Sequence, residues 1–208
     1  MSSIPQLMSG RALEHGIALM VNHGGTGSSA KMHVGGQANA ITAQAALDGS
    51  TYDCTVHTMI DSYTIPANSL VAGSTIRIRA VGRISSVDST PTLQAFVSLG
   101  ANTTTPASNN QLLSTNDATV AAADFFVIDG TIQLRTVGAT ATGYAMFTYS
   151  QPSDQAVKSA IITTISGTAA VDTTANLILS IDSQWSANHN DNDVNLEMFV
   201  VDIVNPST

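Results

Sequence analysis

Residues 62–84 read SYTIPANSLVAGSTIRIRAVGRI, from Ser62 to Ile84. Tyr63-Thr64-Ile65 is a short apolar approach, ended by Pro66. Pro66-Ala67-Asn68-Ser69 has the chemistry of a turn, because proline fixes φ at the first corner and Asn and Ser hydrogen-bond locally. After Gly73, the run Ser74 to Ala80 alternates strictly between polar and apolar positions and carries β-branched residues. That pattern predicts a strand with one wet and one buried face. Ile76, Ile78 and Ala80 are expected inside a sandwich. Arg77 and Arg79 are expected outside, open to solvent or to the aspartates of a neighbouring subunit. Pairs of that kind contribute little when exposed.

Working outward, the chain from Thr51 onward reads almost wholly as β. Tyr52 to Ile60 has Cys54, Val56 and Thr58 on one face, with His57 and Met59 on the other. Thr92 to Leu99 follows Pro91, and Ala101 to Ala123 reads as a long polar loop with room for a short segment at Gln111-Leu112-Leu113. Within Asp124 to Arg135, Asp129-Gly130 has the composition of a two-residue type I′ hairpin loop. That register sets Val127 opposite Ile132, Phe125 opposite Leu134 and Asp124 opposite Arg135. Gly143 to Ser150, Ala156 to Ser166 and Ala175 to Trp185 are further strands. The polar loop Ser186 to Asp193 then reads as a hairpin tip leading to Val194 to Val204, which is apolar on both faces and so expected to be central. Eight principal strands with irregular turn spacing predict an all-β, two-sheet sandwich with long crossovers.

Residues 1–50 differ: Gly, Ala, Ser and His dominate, and QANAITAQAAL (Gln37 to Leu47) has helix propensity but little apolar width. This segment is expected to be an extended arm, ordered by the body or by a neighbour, with the sandwich domain spanning 51–208. Hydrophobic content of 43% is enough for a core in a chain of 208 residues. A net charge of −8, with no Lys/Arg run, argues against nucleic-acid binding. Cys54 is the single cysteine, which excludes an intramolecular disulfide and reads as a buried strand residue. The start MSSIPQLMSGRALEHG lacks the basic and apolar regions of a signal peptide, and no apolar run reaches the roughly 18 residues that span a bilayer. A soluble chain, folded in a reducing cytoplasm and without a membrane partner, is the expectation.

No motif predicts catalysis or a cofactor. GGTGSSAK (Gly24 to Lys31) glances at a phosphate-binding loop, but Ala30 precedes the lysine and Met32 follows it, so the spacing fails. His15, His23 and His33 match no zinc spacing. Copies of them could meet at a threefold axis, which leaves them as candidate subunit contacts. Asn188, Asn190, Asp191 and Asp193 could offer oxygen to calcium, but the glycine and closing Glu of an EF-hand loop are missing. A solvated loop with exposed contacts is the plainer reading. There is no Gly-x-Ser-x-Gly elbow, and Glu14 and Glu197 are the only glutamates. The expectation is therefore no enzyme, no metal and no cofactor.

The run SYTIPANSLVAGSTIRIRAVGRI, with its sequel TLQAFVSLG, resembles the opening of small all-β structural modules of tailed-bacteriophage virions. VDTTANLILSIDSQWSA followed by VNLEMFVVDIV is similar to their closing segment, with Trp185 near its end. The resemblance covers about Tyr52 to Val204. It implies a jelly-roll sandwich forming a homotrimer; joined to the strand and arm readings above, the expected fold is an eight-stranded antiparallel jelly-roll-like β-sandwich with an extended N-terminal arm. It also implies a place in the virion, assembled in the host cytoplasm. A capsid cement or decoration protein bound to the major capsid protein is the first reading, with Arg77, Arg79 and the three arm histidines as candidate contacts. A receptor- or glycan-binding module of a head, collar or tail fibre is the alternative, touching a host surface glycan through Asn102 to Asn116 and Ser186 to Asp193. A polysaccharide-degrading spike is a third.

Overall fold

The computed structural model describes residues 47–48, 54–85, 92–115, 118–119, 124–151, 158–165, 171–189 and 191–206. Its strands are β1 (Leu47–Asp48), β2 (Thr58–Ile65), β3 (Thr75–Ser85), β4 (Thr92–Gly100), β5 (Asn110–Ser114) and β6 (Ala118–Thr119). They continue with β7 (Asp124–Thr136), β8 (Thr142–Ser150), β9 (Lys158–Ile165), β10 (Leu177–Trp185) and β11 (Asp193–Val204). One sheet has six strands in the order β1-β11-β3-β7-β8-β9, and the other has β2-β10-β4-β5 with β6 beside β4. Every pairing is antiparallel.

These orders are those of a jelly roll. The pairs β1–β11, β2–β10, β3–β7 and β4–β5 nest inside one another along the chain, as in a long hairpin rolled into two layers. The β8–β9 hairpin extends the first sheet beyond β7. The expected eight-stranded sandwich is present, with this extension. Leu47–Asp48 fall on the arm side of the boundary drawn at residue 50, yet they pair with Val194 and Asp193 of the sandwich. The rest of the expected arm lies outside the described residues.

Ile76, Ile78 and Ala80 are buried and Arg77 and Arg79 exposed, as the alternation in β3 requires. Phe126, Ile128, Ile132 and Leu134 of β7 lie beside them on the same inner face, and Leu93, Val97, Leu99, Leu179, Ile181 and Trp185 close the core from the second sheet. β10 is buried at eight of its nine positions, so it is the strand covered on both faces. β11 was expected in that role, but it neighbours only β3 over most of its length and β1 at one end. Its apolar residues occupy both parities because the register shifts between Leu196 and Met198. Val194 and Leu196 point inward before the bulge, and Phe199, Val201 and Ile203 after it.

The Asp129-Gly130 hairpin is overturned. β7 runs unbroken from Asp124 to Thr136, with Gly130 paired to Ile78 on one side and Phe147 on the other. Gly130 serves close approach rather than a turn: a Cβ there would fall 1.9 Å from Cδ1 of Phe147. Phe126, Ile128, Ile132 and Leu134 keep one phase through the glycine, leaving Phe125 half exposed. Asp124 accordingly sits opposite Ile84, not Arg135. Ser186 to Asp193 is likewise no hairpin, since it links β10 in one sheet to β11 in the other. At the N-terminal end of β2, Cys54 to Val56 form a turn, and the strand begins at Thr58 and runs through Tyr63 to Ile65. The short segment at Gln111-Leu112-Leu113 is β5.

Two corners hold the layers together. Between β2 and β3 the Pro66–Ser69 turn forms as expected, with the Ser69 N–H donating to Pro66 O at 3.2 Å and Asn68 in the left-handed region at φ 58°. Asn205 locks it, accepting from Ser74 Oγ at 2.6 Å and donating to Ser69 O at 3.0 Å. Ahead of β10, the Thr174 hydroxyl and then its N–H donate to Asp172 and hold that carboxyl below the usual range. At the opposite end Cys54 is buried, as expected for the lone thiol. Its N–H and Sγ both donate to Asn188 Oδ1, at 3.2 and 3.0 Å, and its carbonyl accepts the Trp185 N–H at 2.9 Å.

Candidate functional site

The outer sides of the two sheets differ in kind. On β4 and β10 of the second sheet, Phe96, Ser98, Ser180 and Asp182, which alternate with the core, are themselves buried. On the six-stranded sheet the outer residues are open and chemically mixed. Arg77, Arg79 and Arg83 project from β3 and Arg135 from β7, all exposed. Register then decides what stands beside each. Arg77 lies between Asp202 of β11 and Thr131 of β7, and Arg79 between Val200 and Asp129. Arg79 Nε is 3.7 Å from Asp129 Oδ1, and Arg83 Nε is 2.8 Å from Glu197 Oε1. The Arg135 guanidinium lies 4.5 Å from the centre of the Tyr144 ring, a cation–π contact.

Three of the exposed large apolar side chains share this face: Phe125 at 50%, Met146 at 52% and Tyr144 at 40% exposure. Arg77, Arg79, Asp129, Met146 and Asp202 wall a shallow depression of about 350 Å³. Val81, Arg83, Phe125 and Glu197 line a second hollow beside it. Arg, Met and aromatic side chains are the types enriched where proteins meet proteins. Among the described residues no part of the face converges on a set of metal ligands. Because the Arg79 and Asp129 side chains are each at least half exposed, Arg79→Ala is expected to change stability by less than about 1 kcal/mol. Urea unfolding of the variant beside the wild type checks this.

A second cluster lies on the other sheet. Asp182 Oδ2 accepts from Ser98 Oγ at 2.5 Å and from His57 Nε2 at 3.2 Å. His57 stacks on Phe96 with ring centres 4.1 Å apart, and its Nδ1 is 3.5 Å from the Gln111 amide nitrogen. With Nε2 facing the Asp182 carboxylate, a proton on Nε2 serves that contact. The three residue types are those of a hydrolytic triad, but the order is not. Nucleophilic activation needs histidine between serine and aspartate; here aspartate lies between the other two. Ser98 and Asp182 are fully buried, as are Ser180 Oγ and Asp182 Oδ1, which have no hydrogen-bond partner among the described residues. The cluster works as an internal polar brace for the turn that carries His57.

Comparison with protein-family models and with curated proteins returns no match.

The structure brings Arg77 and Arg79 together on the open face and adds Arg83, Arg135, Phe125, Tyr144 and Met146 to them. It does not assemble the proposed oxygen ligands. Asn188 is engaged by Cys54, Asp191 lies 3.5 Å from His189 Nδ1, and Asp193 is the first residue of β11 rather than part of a loop. Asn190, His15, His23 and His33 lie outside the described residues. Among the described residues no group of three or more His, Cys, Asp or Glu could hold a metal ion. Phe125 was missed because the hairpin reading turned it inward. Tyr144 and Met146 were missed because both faces of GYAMFTYS carry apolar residues, and alternation alone does not say which is outside. The His57–Asp182 pairing joins residues from opposite ends of the sandwich domain, so no spacing rule reaches it.

Proposed function

We propose that the chain is a structural protein of a tailed-phage virion, a capsid decoration or cement protein that binds the head shell as a trimer and stabilises it. The observation that carries this reading is the open face of the six-stranded sheet, with its arginines, Phe125, Tyr144 and Met146, on a jelly roll whose β4 and β10 are covered over their outer residues Phe96, Ser98, Ser180 and Asp182. A surface of that composition suits contact with protein rather than chemistry on a small substrate. The likeness of residues 62–84 and of the closing segment to phage virion modules supports the same reading. The acidic balance suits an outer surface of the shell better than one facing DNA.

The test is to mix the purified chain with heads that lack decoration. Binding in a pelleting assay, together with a higher temperature of head disruption, is expected. A chain that leaves heads unbound but adheres to host cells or envelope polysaccharide would move the assignment to the fibre reading.

A further inference from the structure

We infer that residues 37–46 run on from β1 as a strand along the open edge of β11, so that the chain's own arm is the partner of that edge. β11 has β3 on one side along its length. On its other side the only strand among the described residues is β1, which pairs with Asp193 and Val194 and no further. The edge from 195 to 204 therefore presents N–H and C=O groups with no strand against them among the described residues. Such a row takes up an extended segment that can reach it, and folded proteins cover or blunt it. β1 shows what reaches it. Leu47 pairs with Val194 and Asp48 with Asp193, antiparallel, so each step back along the chain moves one step up β11. Residues 37–46 span positions 195–204, to within the single-residue bulge at Glu197.

The sequence of the segment fits the place. In residues 41–47, ITAQAAL, Ile41, Ala43, Ala45 and Leu47 share one parity, and Thr42, Gln44 and Ala46 the other. Leu47 lies opposite Val194, which is buried, so the apolar parity is the one in line with the core side of β11. Alternation at period two is a strand signal, and the helix propensity of the run is a weak prior that edge pairing overrides. No proline interrupts residues 37–46, so every backbone donor the edge needs is present. Residues 1–36, with His15, His23 and His33, then leave the sandwich at the Val204 end, beside the corner that Asn205 locks. Fully extended, they reach about 120 Å.

Amide hydrogen exchange of the full chain, read residue by residue by NMR, tests this. β3 protects only alternate N–H groups of 195–204, because successive groups in a strand point to opposite sides. With the arm in place both sets are expected to exchange about 100-fold or more slowly than in an unfolded chain, and so are alternate amides of 37–46. Thr42→Pro and Ala43→Pro supply a second readout. In an edge strand one of two neighbouring N–H groups faces the sheet and the other faces solvent. One proline should therefore speed exchange along 195–204 by about tenfold or more, and the other far less. A helix or a loose arm would not tell the two apart. Protection of β4 and β10 should be unchanged in both variants, which separates loss of the arm from loss of the fold. Protection confined to alternate residues of 195–204, two prolines of equal effect, or protection that grows as concentration brings copies together would each overturn the inference. The last would give the edge to the arm of a second copy.

Discussion

Gly130→Ala is expected to destabilise the domain by about 1–3 kcal/mol, the range for forcing extra volume into a filled core. The added methyl would fall 1.9 Å from Cδ1 of Phe147, a side chain with no exposed surface. Rotating the ring away is blocked, because the strand row places Ile78 across Gly130 and the core closes above it. Phe147→Ala alone removes a buried ring and should cost about 3–5 kcal/mol. The informative variant is the double one. Without the ring, the Gly130→Ala methyl has space, so the double variant should be little less stable than Phe147→Ala. A coupling of about 0.5–3 kcal/mol is expected, in the direction of mutual relief. Urea unfolding of the four proteins measures it. If the two changes simply add, Gly130 is not there for the ring and the account fails. A glycine held by a two-residue turn would show just that additivity, so the cycle separates the two backbone roles by energy.

His57→Ala should be more damaging than Gly130→Ala, by about 3–5 kcal/mol, the loss typical when one member of a buried pair is removed. Asp182 is fully buried, and Oδ2 is the oxygen that both Ser98 and His57 use. Removing His57 leaves the carboxylate with Ser98 alone, strips the stack from Phe96 and admits water to the outer side of β10. Ser98→Ala should be milder, about 1.5–3 kcal/mol, because His57 still answers the charge. Replacing both His57 and Asp182 with apolar residues of similar volume should recover much of the loss, since a filled apolar site has no unanswered charge. Thermal and urea unfolding rank the variants. A His57→Ala protein as stable as the wild type would mean that the brace contributes nothing.

How far the sequence reaches depends on the range of the force involved. Alternation in Thr75–Ser85 reports which side of a strand is buried, a local property, and Ile76, Ile78, Arg77 and Arg79 lie where it puts them. Pro66–Ser69 turns because its own side chains make it turn. Asp129-Gly130 misled because two glycine uses share one signature. The unbroken phase of Phe126, Ile128, Ile132 and Leu134 across it was the available counter-signal. The two faces of β11 misled for a similar reason: a bulge at Glu197 changes parity midway. The arginine face was half legible. β3 shows its three arginines in one run, but the acids beside them come from β7 and β11, far along the chain. The His57–Ser98–Asp182 cluster draws on three separated segments and had no local trace at all.

The setting of Cys54 has a practical consequence. Its sulfur lies beneath Ala187 and Asn188, at the end of the sandwich where β10 passes over to β11. A thiol reagent can reach it only when that end opens. The rate of labelling in native buffer therefore clocks the local opening of one end of the roll, without any engineered probe. Repeated at rising denaturant, the same reaction tells whether that end frays by itself or only with the whole domain. The single thiol makes the signal unambiguous, since no second cysteine competes for the reagent.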